Sequence, residues 1–277
     1  MIRLGCALIL LAAATTAAAD TVLYSAAPAT YPAVTSGLTT EFGTSSFPPL
    51  SETGLAYYAV PGAGSVDVKF RFHGDTGSFF FEFGYYHLTP ALSAIDTSTD
   101  AGKEAYAAAA LAPGNAFVVF DDNVNSPPDT ATASLTGGDV VGFFLIPDAS
   151  LADFQGSPGD FALDGTGSST FAFPPPFRWP LFGFADANPG GLDQLMSFAG
   201  VSTITGEPSN LFAWEDLTRA AIPGNPNPSD EAFNDLIFGV EGVLSVPEPG
   251  TLVLLSLGAL AMLSVCNSAR RRRSASA

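Results

Sequence analysis

Cysteine is almost absent from this sequence, and its two copies lie near the chain ends. Cys6 falls in an N-terminal apolar run and Cys266 in a C-terminal one. The long segment between them carries no thiol, which excludes a disulfide scaffold, a cysteine nucleophile and a thiolate zinc site there. A fold in that segment must therefore rest on its packed core alone.

Positive charge is the second scarce property. The chain has 27 acidic residues against 10 lysines and arginines, and its formal net charge is −17. This composition argues against a nucleic-acid partner, because phosphate binding depends on cationic side chains. It favours an outer surface that binds cations or is simply highly solvated.

The motifs of common enzymes are missing as well. The sequence has no G-x-S-x-G elbow, P-loop, H-E-x-x-H pair or dinucleotide fingerprint. Its two histidines, His73 and His87, lack metal-ligand spacing. We therefore expect no enzymatic activity, although a glycosidase needs only two carboxylates and this chain has many.

Residues 1–19 have the three parts of a secretory signal peptide. Arg3 precedes an apolar run over residues 4–14, and three consecutive alanines end at Ala19. This order predicts export by the Sec machinery and cleavage between Ala19 and Asp20.

The C-terminus combines a proline-bracketed glutamate, an apolar run and an arginine cluster. Pro247, Glu248 and Pro249 precede residues 251–266, which we predict to form a transmembrane helix. At 1.5 Å per residue this helix spans about 24 Å, against about 30 Å of bilayer hydrocarbon. The arginines should remain cytoplasmic by the positive-inside rule. The cluster consists of Arg270, Arg271, Arg272 and Arg273.

This C-terminal order resembles the PEP-CTERM sorting signal of Gram-negative bacteria. The resemblance implies recognition by an exosortase and an intermediate anchored in the inner membrane. It further implies transfer to the cell surface or extracellular matrix, and association with exopolysaccharide and biofilm. An ordinary C-terminal anchor with an incidental Pro-Glu-Pro is the alternative.

Between the two ends, the sequence predicts a mostly β, antiparallel sandwich or jelly roll with one short helix. Residues 66–72 alternate apolar and charged side chains, as in a strand with one solvated face. Residues 79–83 predict a second, aromatic strand, and the Gly-Asp-Thr-Gly of residues 74–77 predicts a hairpin turn between the two strands. The alanine-rich stretch over residues 100–111 predicts the helix, with Thr99 or Asp100 as N-cap. Further predicted strands are 55–60, 116–120, 140–146, 170–173, 181–184, 195–203, 211–217 and 235–243.

We divide the exported part into an N-terminal β-rich region, residues 20–136, and a second β-rich domain, residues 137–245. The sorting tail occupies residues 246–273. In the second domain, Trp214-Glu215-Asp216 is followed by a Ser-Asp-x-x-Phe-Asn-Asp run over residues 229–235. This order resembles an uncharacterised domain of bacterial surface proteins marked by aromatic-Glu-Asp and Ser-Asp-x-Asp-Phe-Asn-Asp. Ala232 and Gln194 depart from that pattern, where Asp and His are usual.

Oxygen-bearing side chains of the second domain predict a calcium site. They are Glu215, Asp216, Asp230, Asn234 and Asp235. Calcium takes about six to eight oxygen ligands and tolerates irregular geometry. The alternative is that Asp216 and Asp235 accept hydrogen bonds from backbone amides of the intervening loop.

These features favour an exported, non-enzymatic protein of the cell surface or matrix, stabilised by calcium. One alternative is a carbohydrate-binding adhesin that stacks sugars on exposed aromatic side chains. The other is a polysaccharide-active hydrolase with two carboxylates across a cleft. The aromatic residues that could form such a platform are Tyr57, Tyr58, Tyr85, Tyr86 and Trp179, but aromatic residues at strand positions favour the core.

Overall fold

Two antiparallel sheets pack face to face in the computed structural model of the chain. It describes residues 32–45, 57–76, 80–157, 179–191, 194–216 and 233–246. The predicted signal peptide, Pro-Glu-Pro triplet and transmembrane helix lie outside these residues. Among the described residues, none of the helices has the length and apolarity that a membrane crossing requires.

The first sheet has the strand order β11-β1-β6-β3-β4, and β7 pairs with β6 beyond the end of β1. All its pairings are antiparallel. Its strands are β1 (Tyr57–Ala59), β3 (Phe81–His87), β4 (Ala116–Asp121), β6 (Val140–Pro147), β7 (Leu181–Phe182) and β11 (Leu244–Val246).

The second sheet has the order β5-β2-β10-β9-β8, again antiparallel throughout. The charged-apolar alternation over residues 66–72 falls within β2, as the sequence predicts. The hairpin turn predicted over residues 74–77 is wrong, because β2 and β3 lie in different sheets and do not pair. The strands are β2 (Ser65–Gly74), β5 (Thr130–Thr136), β8 (Leu195–Val201), β9 (Pro208–Trp214) and β10 (Leu236–Glu241).

Both sheets take strands from either side of residue 136. In the first sheet β6 lies between β1 and β3, and in the second β10 lies between β2 and β9. The boundary drawn from the sequence falls in the turn between β5 and β6. The N-terminal β-rich region and the second β-rich domain therefore build one sandwich together.

Aromatic rings fill the space between the sheets. Phe83 of the first sheet lies 4.0 Å, centroid to centroid, from Phe238 of the second. Phe143 packs against Phe212 at 5.2 Å and Phe70 at 6.3 Å. Each such ring, once buried, contributes about 1.5–3 kcal/mol. This aromatic core replaces the disulfides that the sequence lacks.

The described residues contain three α-helices where the sequence predicts one. The predicted helix is α2 (Asp100–Ala110), and the Thr99 hydroxyl caps it by accepting the Gly102 N–H at 3.1 Å. The other two α-helices are α1 (Pro32–Phe42) and the short α3 (Leu151–Gly156). A capping box between Ser150 and Asp153 begins α3. The 3₁₀ turns are Leu92–Ala94, Ala185–Ala187 and Pro189–Gly191.

Helix α1 lies on the outer face of the second sheet. It buries Val34, Leu38 and Phe42 against apolar side chains of β8, β9 and β10. A Cβ on Gly200 would come within 2.8 Å of the Phe42 ring, so the helix needs glycine there. Both faces of this sheet are therefore covered where α1 crosses it.

A buried polar network ties α1 to the sheet below it. Glu41 is fully buried, and its Oε2 accepts hydrogen bonds from Arg71 Nη1 and His73 Nε2, each at 2.8 Å. Arg71 also lies 3.4 Å from Glu241. The β2 face predicted to be solvated is thus covered at Arg71 and His73, while Asp67 and Lys69 are exposed.

Glu41→Gln should lower the melting temperature by about 10 °C. Breaking a buried ion pair costs about 3 kcal/mol, and 1 kcal/mol corresponds to about 2–4 °C in a domain of this size. Burial alone would raise the pKa of Glu41, but hydrogen bonds from His73, Ser202 and Ser209 and the Arg71 charge lower it to about 2, below the ordinary 4.5. The stabilisation is thus full above pH 4.5 and is lost as the pH falls through about 2.

Thermal melts of the full-length chain in mild detergent, from pH 7 to pH 2, measure this effect. The exposed Glu207 provides the matched control, as Glu207→Gln removes the same charge outside the network. Equal melting temperatures for Glu41→Gln and Glu207→Gln at pH 7 would contradict the assignment.

Candidate metal centre

Three strand ends meet at one end of the second sheet. Trp214, the last residue of β9, pairs with Leu236, the first of β10. Gly74, the last residue of β2, pairs with Ile237. Because neighbouring strands are antiparallel, the residues after β9 and β2 and those before β10 come together. The acidic side chains at these positions form the candidate metal centre.

Glu215, Asp216 and Asp235 form the cluster itself. One carboxylate oxygen from each lies within 4.8 Å of those of the other two. Glu215 is 1% exposed and Asp216 is 4% exposed. The Asp216 backbone N–H donates to Asp235 Oδ2 at 3.0 Å, and the Asp235 N–H donates to the Trp214 carbonyl at 3.2 Å. The cluster is therefore held by backbone hydrogen bonds.

The electrostatics of the cluster disfavour three ionised carboxylates. Burial, together with the negative charges of Asp235 and Glu215, raises the pKa of Asp216 to about 9. No lysine or arginine nitrogen of the described residues lies within 4.0 Å of these carboxylates. At neutral pH, in the absence of a cation, a proton on Asp216 relieves the repulsion.

One atom of the cluster has no hydrogen-bond partner. Asp216 Oδ2 is buried and accepts no hydrogen bond, and the rest of the side chain is also almost completely removed from solvent. A buried oxygen without a partner costs about 1–3 kcal/mol. Together, the three carboxylates of the cluster offer an all-oxygen ligand set, the kind that calcium prefers.

The structure brings together three of the five residues that the sequence proposes as ligands. Asn234 is the chain neighbour of Asp235, and both precede β10. The Asn234 carbonyl accepts hydrogen bonds from Thr76 N and Oγ1, at 3.2 and 2.9 Å. Asp230 lies outside the described residues.

The alternative role for these aspartates stays a prediction, because residues 217–232 of the intervening loop lie outside the described residues. Asp235 does accept a backbone amide, but that amide belongs to Asp216 at the end of β9. Gln194 is buried beside the cluster, and its backbone carbonyl accepts the Glu215 N–H at 3.0 Å.

Asp75 is a neighbour of the cluster that the sequence did not indicate. Its negative charge is among the causes that raise the pKa of Asp216. It also makes a side-chain hydrogen bond with Asp122, which follows β4 of the first sheet. Only the pairing of β2 with β10 brings it here, and no local pattern in the sequence encodes that pairing.

The aromatic residues considered for sugar stacking lie in the core. Tyr57, Tyr58 and Tyr86 are at most 1% exposed, Trp179 is 5% exposed and Tyr85 is 7% exposed. The Tyr106 hydroxyl lies between those of Tyr57 and Tyr86, at 2.9 and 2.8 Å. These rings therefore present no platform to a sugar.

Two family models match parts of the chain. Residues 135–243 match a family described as Domain of unknown function (DUF4114), and residues 245–273 match the PEP-CTERM protein-sorting motif. Searches of curated proteins and of solved structures find no match. The predicted resemblance of the tail is thus confirmed, and it implies an exported exosortase substrate with membrane-anchored processing.

The match to the domain of unknown function covers the same part of the chain in which the sequence resembles an uncharacterised domain of bacterial surface proteins. The aromatic-Glu-Asp signature within it stays a prediction. The match begins at the end of β5 and stops before β11, so it omits β1 to β4. In this chain the matched segment completes its sheets with strands from outside the match.

Proposed function

We propose that this chain is an exported, non-enzymatic protein of the cell surface or extracellular matrix, with a β-sandwich that a calcium ion stabilises. The Sec machinery exports it, and signal cleavage leaves Asp20 as the first residue. The C-terminal helix then holds it in the inner membrane until an exosortase acts on the tail. The sorting motif at residues 245–273 supports this route.

The calcium part of the proposal rests on one observation. Asp216 Oδ2 is buried without a hydrogen-bond partner inside a cluster of three carboxylates. A divalent cation would satisfy this oxygen and cancel the repulsion among the carboxylates. Extracellular calcium-binding modules have dissociation constants of about 10⁻⁴–10⁻³ M. Export would therefore place this site where even weak binding is enough to occupy it.

Calcium fits this ligand set better than other common metals. Zinc prefers cysteine and histidine ligands, and the acidic cluster contains neither. Magnesium demands near-ideal octahedral geometry and keeps much of its water shell, which a buried cluster does not accommodate. Calcium accepts carboxylates with one or both oxygens and an irregular arrangement.

Calcium should therefore raise the melting temperature of the full-length chain in mild detergent, and EGTA should reverse the increase. A ligand at about 100 times its dissociation constant stabilises the folded state by about 2.7 kcal/mol, which is about 5–10 °C here. Differential scanning fluorimetry against calcium concentration measures the shift. Magnesium at the same concentration serves as the control, and an unchanged melting temperature with EGTA would contradict the proposal.

The burial of the cluster favours this structural role over the hydrolase alternative. A glycosidase holds its two carboxylates about 5–10 Å apart and open to a sugar. Here the carboxylate oxygens lie within 4.8 Å of one another, and Glu215 and Asp216 are almost fully covered. The adhesin alternative likewise needs exposed aromatic rings, and the five considered are buried.

A further inference from the structure

The last strand of the sandwich continues directly into the sorting tail. β11 ends at Val246, and Pro247 of the Pro-Glu-Pro triplet is the next residue of the chain. The match to the sorting motif begins at residue 245, inside this strand. The first sheet and the sorting motif therefore share residues 245 and 246, and no spacer separates the fold from the tail.

Little chain separates β11 from the membrane. Only residues 247–250 lie between this strand and the predicted transmembrane helix. Even fully extended, the chain from Val246 to Thr251 reaches at most about 18 Å. A folded domain of about 200 residues has a radius of gyration of about 17 Å. An enzyme that acts on the tail must therefore work in a space no wider than about half the folded domain.

A single neighbour holds β11 at the edge of the first sheet. The strand pairs with β1 over three positions, from Tyr57 opposite Val246 to Ala59 opposite Leu244. Among the described residues no other strand pairs with it, and Leu244 is 55% exposed. Short segments with few backbone hydrogen bonds and exposed side chains open more easily than the core. β11 is thus a segment that can open locally.

The residue before β11 is held more firmly. Val243 is 3% exposed, and its carbonyl accepts a hydrogen bond from Asn210 Nδ2 at 3.3 Å. β10, which pairs with both β2 and β9, ends before it at Glu241. β11 can therefore leave the edge of β1 while Val243 and the rest of the sandwich stay in place.

We propose that β11 leaves the edge of β1 before the exosortase acts on the tail, so that the paired strand slows processing. This inference rests on the proposed sorting route. Release of residues 244–246 adds about 10 Å of extended chain between the sandwich and the triplet. Processing then proceeds only from the fraction of molecules in which β11 is open.

A disulfide that fastens β11 to β1 tests the inference. Ala59 and Leu244 are register partners outside the fully buried core, and the predicted exported part of the chain has no other cysteine. Ala59→Cys with Leu244→Cys should lengthen the half-time of tail removal at least about tenfold, because the locked strand cannot open. Reductant should restore it. Ser65→Cys with Thr136→Cys joins exposed register partners of β2 and β5, and this matched control should leave the half-time unchanged.

Pulse-chase immunoblots of tail removal, in cells that carry the exosortase, measure these half-times. Non-reducing gels show whether each disulfide has formed. Equal half-times for the two disulfide-bonded chains would overturn the role of β11. Wild-type protein that keeps its tail would overturn the sorting route as well.

A linker of about six Gly and Ser residues, inserted between Val246 and Pro247, tests the inference without a disulfide. It separates the triplet from the sandwich while β11 stays paired. The half-time should shorten at least about threefold, because processing no longer waits for release. The same linker should restore processing of the locked chain, which a misfolded variant could not do. An unchanged half-time with the linker would contradict the proposal.

Discussion

Replacing Pro247, Glu248 and Pro249 by alanine should leave the protein in the inner membrane. The apolar run and the arginine cluster remain, so the chain still inserts and still stops there. What it loses is the rigid, proline-bracketed glutamate that the sorting motif places before the helix. We expect the surface or matrix fraction to fall to background while the membrane fraction rises.

The chain offers a matched control for this substitution. Pro226-Asn227-Pro228 is a second proline-bracketed triplet, outside the sorting motif. Its replacement by alanines should leave delivery unchanged. Immunoblots of inner-membrane, outer-membrane and medium fractions measure both variants, and normal surface delivery without Pro247-Glu248-Pro249 would contradict the role of the tail.

Asp216→Asn should have two effects of opposite sign. Without calcium, it should stabilise the protein at pH 8 by about 5–10 °C. Wild-type Asp216 must take up a proton on folding at this pH, because its pKa rises from 3.8 to about 9, whereas the neutral amide needs none. Each 1 kcal/mol of the free energy saved is worth about 2–4 °C. With calcium, it should abolish the stabilisation, because the central ligand is gone. Few other substitutions would both raise intrinsic stability and remove a ligand response.

The pH dependence of the calcium-free protein follows from the same carboxyl group. Burial raises the folded-state pKa of Asp216 to about 9, above the ordinary 3.8. The folded state therefore holds a proton that the unfolded state releases, and stability falls as the pH rises from about 4 through about 9. Asp216→Asn removes this decline.

Melting curves in EGTA and in calcium, from pH 5 to pH 9, measure both effects. Asp67→Asn, at an exposed residue of β2, controls for the change in net charge. A lower melting temperature of Asp216→Asn in EGTA, or a calcium response equal to that of the wild type, would show that Asp216 is not the central ligand.

Local patterns in the sequence were enough to predict the tail, the helix α2 and most strands. Alternation over residues 66–72 identifies β2, and the Thr99 cap with its alanine run identifies α2. Each pattern is contained in the element that it describes. The sorting motif is local in the same sense, since its parts follow one another in the chain.

Helix α1 shows what such patterns miss. Its sequence, Pro-Ala-Val-Thr-Ser-Gly-Leu-Thr-Thr-Glu-Phe, is rich in weak helix formers. Packing of Val34, Leu38 and Phe42 on the second sheet stabilises it instead. The same packing buries both faces of β9 and β10 and so removes the apolar-polar alternation expected of a strand with one solvated face.

The candidate site could likewise be predicted from the sequence only in part. Glu215, Asp216 and Asp235 were predictable because they flank two strands that are neighbours both in the chain and in the sheet. Asp75 depends on the pairing of β2 with β10, which are far apart in the sequence. The burial that raises the pKa of Asp216 also depends on the whole sandwich.

The mass of the native protein tests the central account most directly. Export and sorting predict a molecule, recovered from the cell surface or the medium, that begins at Asp20 and has lost the apolar run and Arg270–Arg273. Intact-mass spectrometry with peptide mapping of both ends would show these termini. A cytosolic protein that retains Met1 and Ala277 would contradict the account.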